Sequence, residues 1–189
     1  MSRNKTAGID EAGRGALAGP IVAGAVILSS ACPIKGLKDS KKLTPNRREV
    51  LFKEIIEKSE AWSAAVVDNK EIDRLGIQKA NLIALEKAVG LLSVIPDMVV
   101  ADWYKNDGFP IRWLGVVRGE DTYEEIAAAS IVAKVTRDKL MRALAEEYPE
   151  YGFEKNKGYG SPGHISALKR LDICPIHRIS FSPCRAKLL

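Results

Sequence analysis

Two short runs of apolar, β-branched residues, Thr6 to Ile9 and Ile21 to Leu28, stand on either side of a glycine-rich stretch from Gly13 to Pro20. Branched side chains fit a pleated surface, so the pattern predicts two strands joined by a tight connection, an amino-terminal hairpin. A glycine-rich loop after a strand also imitates a dinucleotide fingerprint. That loop must open a helix, whereas Pro20 here leads back into a strand-like run. The glycines are better read as letting backbone N–H groups come close to a phosphate or a sugar.

Further along, Thr44 and Pro45 supply an N-cap and a first-turn proline for a helix to about Glu57, with Leu51, Ile55 and Ile56 on its apolar face. Ala61 to Val67 reads as a third strand. Ile77 to Leu92 carries apolar residues near helical spacing, Met98 to Ala101 is a buried-type strand ending at Asp102, and Trp113 to Val117 is another. A long helix is predicted from Ile126 to Tyr148 and a short one from His164 to Leu171. Strands in a meander, then strands alternating with helices, predict an α/β fold around a mixed sheet. The 189 residues are expected to form one domain, 1–189.

Charge narrows the partner less than the motifs do. The net charge of +5 and pI of about 9.1 agree with a polyanionic partner and equally with plain solubility. Cys32, Cys174 and Cys184 are far apart and show no metal-ligand spacing, so reduced thiols and a cytoplasmic setting are expected. The polar start, Met1 to Thr6, running into Asp10 and Glu11, does not read as a signal peptide, and no apolar run reaches the length of a membrane span.

The chemistry is carried by acidic residues at strand ends: Asp10 and Glu11 after the first, Asp102 after a central one, Glu120 and Asp121 before the long helix. Carboxylates gathered at neighbouring strand ends would repel one another unless divalent cations neutralised them, and hard oxygen ligands suit Mg²⁺ or Mn²⁺. Loops also carry acids merely because they are solvated. Consecutive strand residues point to opposite faces, so Asp10 and Glu11 are expected to share a site only if the strand breaks its pleat, which Gly13 and Gly15 would permit.

Four motifs identify a family. Gly8-Ile9-Asp10-Glu11-Ala12-Gly13-Arg14-Gly15 with Leu17-Ala18-Gly19-Pro20, then Asp39-Ser40-Lys41-Lys42-Leu43, then Ile126 to Asp138, and finally Lys157-Gly158-Tyr159-Gly160, closely resemble type 2 ribonuclease H, the bacterial ribonuclease HII. The resemblance implies a ribonuclease H-like mixed central sheet flanked by helices, with a small C-terminal helical region over roughly 150–189 that grips the duplex. It implies an endonuclease that hydrolyses the RNA strand of RNA–DNA hybrids and nicks 5′ to single ribonucleotides in duplex DNA. Two metal ions, Mn²⁺ or Mg²⁺, would serve the reaction, leaving 3′-hydroxyl and 5′-phosphate ends.

By the same resemblance Asp10, Glu11 and Asp102 match metal-binding carboxylates. Spacing from Ile126 puts Glu120 in the fourth place, where the family usually has Asp; Asp121, one place later, is the alternative. Gly13, Arg14, Gly15 and Tyr159 would recognise the ribonucleotide junction, and Lys42, Ser130 and Lys134 would contact phosphates. Ser130 and Lys134 alone could equally be a buried small residue and a solvated charge, Tyr159 a packing aromatic; His164 and His177 are given no role. Ala16 stands where Pro is common, and Trp103-Tyr104 follow the third carboxylate where Gly is usual. A monomer is expected, with no membrane association and no obligate protein partner.

Overall fold

The computed structural model of the chain describes residues 4–37 and 43–187, and of Glu120 the backbone only. Its centre is a five-stranded sheet in the order β3-β2-β1-β4-β5, built from β1 (Thr6–Ala12), β2 (Ile21–Ile27), β3 (Ala61–Val67), β4 (Met98–Asp102) and β5 (Arg112–Val116). β1 pairs antiparallel with β2 and β2 with β3, whereas β4 runs parallel to β1 and β5 to β4. The expected hairpin and mixed sheet are both present.

Helices cover both faces. On one lie α1 (Pro45–Lys58) and the long α5 (Glu124–Glu147); on the other lie α2 (Asn69–Leu75) and α3 (Ile77–Gly90). β2 is buried at every position because it is covered on both sides, while the edge strand β3 alternates in exposure. α1 begins as its sequence dictates: Thr44 Oγ1 accepts from the Arg47 N–H at 3.3 Å, and Leu51, Phe52 and Ile55 are buried against α5.

The seat of α5 is set by absent side chains. A Cβ at Gly8 would overlap the Glu125–Ile126 backbone, and one at Gly24 would overlap the carbonyl of Ala129. The alanines Ala127, Ala128, Ala129 and Ala133 complete the close approach. Adding a methyl at either glycine would cost about 1–3 kcal/mol or more by displacing the helix. α5 thereby crosses β1 and β2 directly behind Asp10.

α2 was not foreseen, because Ile72 is its one buried residue and no apolar period betrays it. Its signal is Asp68, whose Oδ1 accepts from the Glu71 N–H at 2.8 Å, with Glu71 in the N3 place of a capping pattern. The tail of the chain contains a 3₁₀ turn (Pro149–Tyr151), α6 (Phe153–Asn156), α7 (Pro162–Arg170) and α8 (Ser182–Arg185) around Leu17, Met141, Phe153 and Leu168. Among the described residues no helix is long and apolar enough to cross a membrane.

Candidate active site

β1 and β4 bring the acidic residues together. Their register pairs Ile9 with Ala101, so one step further Asp10 and Asp102 stand level at the carboxyl end of the two strands, on the α5 face. Glu11 faces the other way, toward α3. The expected break in the pleat is absent: β1 continues in unbroken register with β2 from Ala7 to Ala12. What opens this end is instead the ending of β4 at Asp102, which leaves the last residues of β1 unpaired on that side, with Asp10 and Glu11 on opposite faces of the strand.

Glu11 is desolvated, which raises its carboxyl above the usual range; Arg14 opposes this and the charge of Asp102 adds to it. The Arg14 guanidinium is 3.9 Å from Glu11, donates to Gln78 Oε1 at 3.2 Å and lies 5.5 Å from the Tyr104 ring centre. Beside Glu11 on α3, the fully buried Asn81 amide favours the charged carboxylate and makes no other hydrogen bond. Among the described residues no three acidic, histidine or cysteine side chains enclose a metal position, so the expected ligand trio is arranged around the strand end rather than closed upon one point. The donors are nevertheless all hard oxygens and the charges of Glu11 and Asp102 oppose one another, so this set fits a divalent cation.

Asp102 accepts from the Gly119 N–H at 3.0 Å. An added Cβ at Gly119 would lie 2.6 Å from Ile126 Cδ1 of α5 and 3.6 Å from the Ala101 carbonyl of β4, so α4 (Gly119–Thr122) sits against both elements and carries the Glu120 backbone beside Asp102. Asp121 is engaged elsewhere: Arg118 Nε and Nη2 both donate to its Oδ2 at 2.9 Å. Trp103 has φ 62°, and the Tyr104 N–H reaches back to the Asp102 carbonyl at 2.8 Å, closing a three-residue γ-turn of the strained, positive-φ kind. For a bulky residue this costs about 1–3 kcal/mol, whereas the glycine that the resemblance leads one to expect here would adopt it freely.

The glycine loop is held by two buried arginines that sequence reasoning did not single out. Arg137 donates to the carbonyls of Pro20, Lys157 and Ala18, at 2.8, 2.9 and 3.2 Å; Arg178 donates to those of Gly19 and Arg14, at 3.0 and 2.9 Å. The signal for Arg137 was available, since it interrupts a stripe of buried Ala133, Met141 and Ala145 spaced four apart on α5. The Leu17 N–H donates to the Gly158 carbonyl at 2.8 Å, which ties the loop to the turn bearing Tyr159. A Cβ at Gly15 would meet nothing, so this glycine serves open backbone rather than packing.

Glu11, Ser130, Lys134 and Tyr159 line a cleft of about 330 Å³, together with Arg48, which donates to the Leu43 carbonyl at 3.0 Å. Lys134 pairs with Asp138 at 2.7 Å and lies 5.8 Å from the Tyr159 ring centre, with Arg137 at 5.2 Å. Lys42 lies outside the described residues, as do its neighbours 38–41.

Residues 7–184 match the family described as Ribonuclease HII. The chain is 51% identical over 176 residues to a ribonuclease HII of Acetivibrio thermocellus, covering 93% of this chain and 69% of the relative. It is 49% identical over 183 residues to ribonuclease HII 1 of Methylibium petroleiphilum, covering 97% and 92%. The crystal structure of the ribonuclease H2 from Pyrococcus horikoshii OT3 superposes with a TM-score of 0.83 at 30% identity, over 96% of each chain.

Proposed function

Since the chain belongs to the ribonuclease HII family, whose members are endoribonucleases acting on RNA–DNA, we propose that it hydrolyses the RNA strand of hybrids and also nicks 5′ to single ribonucleotides embedded in duplex DNA. The observation that carries this reading is the coupling of the glycine-rich stretch from Gly13 to Pro20, at its Leu17, Ala18 and Pro20 end, to the turn bearing Tyr159 through Arg137 and Gly158.

A 2′-hydroxyl distinguishes RNA from DNA, and backbone free of side chains at Gly15 can reach it. The Tyr159 ring, backed by Arg137, packs on the neighbouring sugar and penalises a second hydroxyl. Lys134 and Ser130, beside it in the cleft, hold phosphates and position the strand without reading its sequence. Arg48 extends the same basic edge, and the phosphate contact expected of Lys42 rests on the resemblance alone.

Asp10, Glu11, Asp102 and Glu120 would hold Mg²⁺ or Mn²⁺, and two such ions when bound supply charge to activate water and to stabilise the departing 3′ oxygen. The chain's own part is to hold these acids at one strand end, with Gly119 and Arg14 orienting Asp102 and Glu11, and to place the phosphate in line. Products would carry 3′-hydroxyl and 5′-phosphate ends. We take the protein to act as a monomer in the cytoplasm.

The test is a labelled DNA duplex with one ribonucleotide, an RNA–DNA hybrid and an all-DNA duplex, each incubated with Mg²⁺ or Mn²⁺ and with an Asp10→Asn control. Cleavage 5′ to the ribonucleotide, lost in Asp10→Asn while duplex affinity stays within about threefold, is the expected result. Equal cutting of all-DNA duplex would sink the proposal.

A further inference from the structure

Trp103 is costly where it stands. Its backbone is held at φ 62° in the γ-turn after Asp102, yet its side chain is 71% exposed, so burial does not offset the strain. A single exposed apolar residue usually needs no explanation; one placed on strained backbone next to a site carboxylate does. Its N–H donates to the Val116 carbonyl at 3.0 Å, so the turn is fixed to the end of β5, and just beyond lie the exposed Val117 and Arg118. Tyr104, the next residue, is used inward: its hydroxyl donates to Gln78 Oε1 at 3.2 Å under the Arg14 guanidinium. The turn thus splits an aromatic pair, one ring bracing the glycine loop and the other aimed at solvent beside Asp102.

We propose that the Trp103 indole packs on a sugar–base unit of the cleaved strand as it passes Asp102. It would be a second aromatic contact, separate from that of Tyr159, and the strained turn is what aims it. This rests on the reading of the site as a duplex nuclease. The shallow minor groove of a hybrid displays sugars and 2′-hydroxyls, and a flat apolar ring packs on them without regard to sequence. The basic groups around the carboxylates, Arg14, Arg118 and Lys134, complement the flanking phosphates.

The test compares Trp103→Ala, Trp103→Gly and Trp103→Phe on the single-ribonucleotide duplex. Ala and Gly should both raise KM about tenfold with kcat within about threefold, while Phe keeps KM within about threefold. Gly alone relieves the backbone, so its Tm should exceed that of the wild type by about 2–4 °C, whereas Ala gains nothing. A KM for Trp103→Gly within twofold of wild type overturns the contact. So does a fall in kcat at constant KM, which would place the effect on Asp102. A Tm for Trp103→Gly no higher than for Trp103→Ala overturns the assignment of strain. Should the wild type cut nothing, the proposed activity fails independently; fluorescence anisotropy of the same labelled duplex then reads the contact, and equal affinity of wild type and Trp103→Ala overturns it.

Discussion

The guanidinium of Arg137 occupies the space that a side chain on Gly13 would need: an ideal Cβ there would overlap Nε. Gly13 also has φ 94°, so a substituent is opposed both by its own backbone and by a buried cation that three carbonyls require. Gly13→Ala should therefore cut kcat/KM by at least 100-fold. Arg137→Met, which leaves the carbonyls of Pro20, Ala18 and Lys157 without this donor, should cost about 3–5 kcal/mol, a fall in Tm on the order of 10 °C. Calorimetry beside steady-state rates checks both; a stable, fully active Arg137→Met would show that the loop holds its shape unaided.

Glu120 and Asp121 differ in what already engages them. The Asp121 carboxylate is half exposed and takes two donors from Arg118, a surface pairing worth about 0–1 kcal/mol, while Glu120 follows the Gly119 N–H that orients Asp102. Asp121→Asn should leave kcat within about threefold and Glu120→Gln should lower it by at least 100-fold, measured at saturating metal and substrate. The reverse order would move the fourth carboxylate to Asp121.

Tyr159 is expected to act through its ring. Lys134 and Arg137 flank the ring face, and at 37% exposure part of it is open to the cleft. Tyr159→Phe should keep kcat/KM on the single-ribonucleotide duplex within about threefold, whereas Tyr159→Ala should lose about 10–100-fold, the worth of one stacked sugar or base. Equal losses in both variants would assign the effect to the hydroxyl.

Much of this architecture could be read from the chain because its signals are local. The Thr44-Pro45 cap, the β-branched run of β2 and the acid ending β4 each report their own neighbourhood, and α1, β3 and β4 begin and end within a residue of where the pattern puts them. Arg178 was invisible because its partners, Gly19 and Arg14, lie more than 150 residues away and nothing around position 178 announces them. The broken pleat expected to bring Asp10 and Glu11 to one site is absent, because β1 stays in register with β2 through both residues. A broken pleat and a strand whose neighbour stops early look the same in sequence, and only the register of β1 with β2 and β4 separates them.

His164 and His177 form a directional relay that ends under Tyr159. The Cys174 N–H donates to His177 Nδ1 at 2.9 Å, so His177 carries its proton on Nε2 and offers it to His164 Nε2 at 3.1 Å; His164 Nδ1–H then donates to the Tyr159 carbonyl at 2.9 Å. A proton added to either ring would set two N–H groups face to face. Burial in the apolar tail, beside Tyr151, Phe153 and Cys174, is the main cause that pushes His177 down to about 4, with His164 pushing the same way, and burial lowers His164 too. With the folded value below the unfolded value of 6.5, the unfolded chain binds more protons between pH 6.5 and 4. Stability is therefore complete above pH 6.5 and falls as the pH is lowered, by about 1.4 kcal/mol per unit and roughly 3 kcal/mol in all from His177. Thermal unfolding followed from pH 7.5 to 4.5 should show Tm falling by about 5–10 °C more in the wild type than in His177→Asn, whose Oδ1 can still accept from the Cys174 N–H. Carboxylates that lose their partners in acid lower both curves alike, so the difference isolates the relay, and parallel curves would remove it as the source of acid sensitivity.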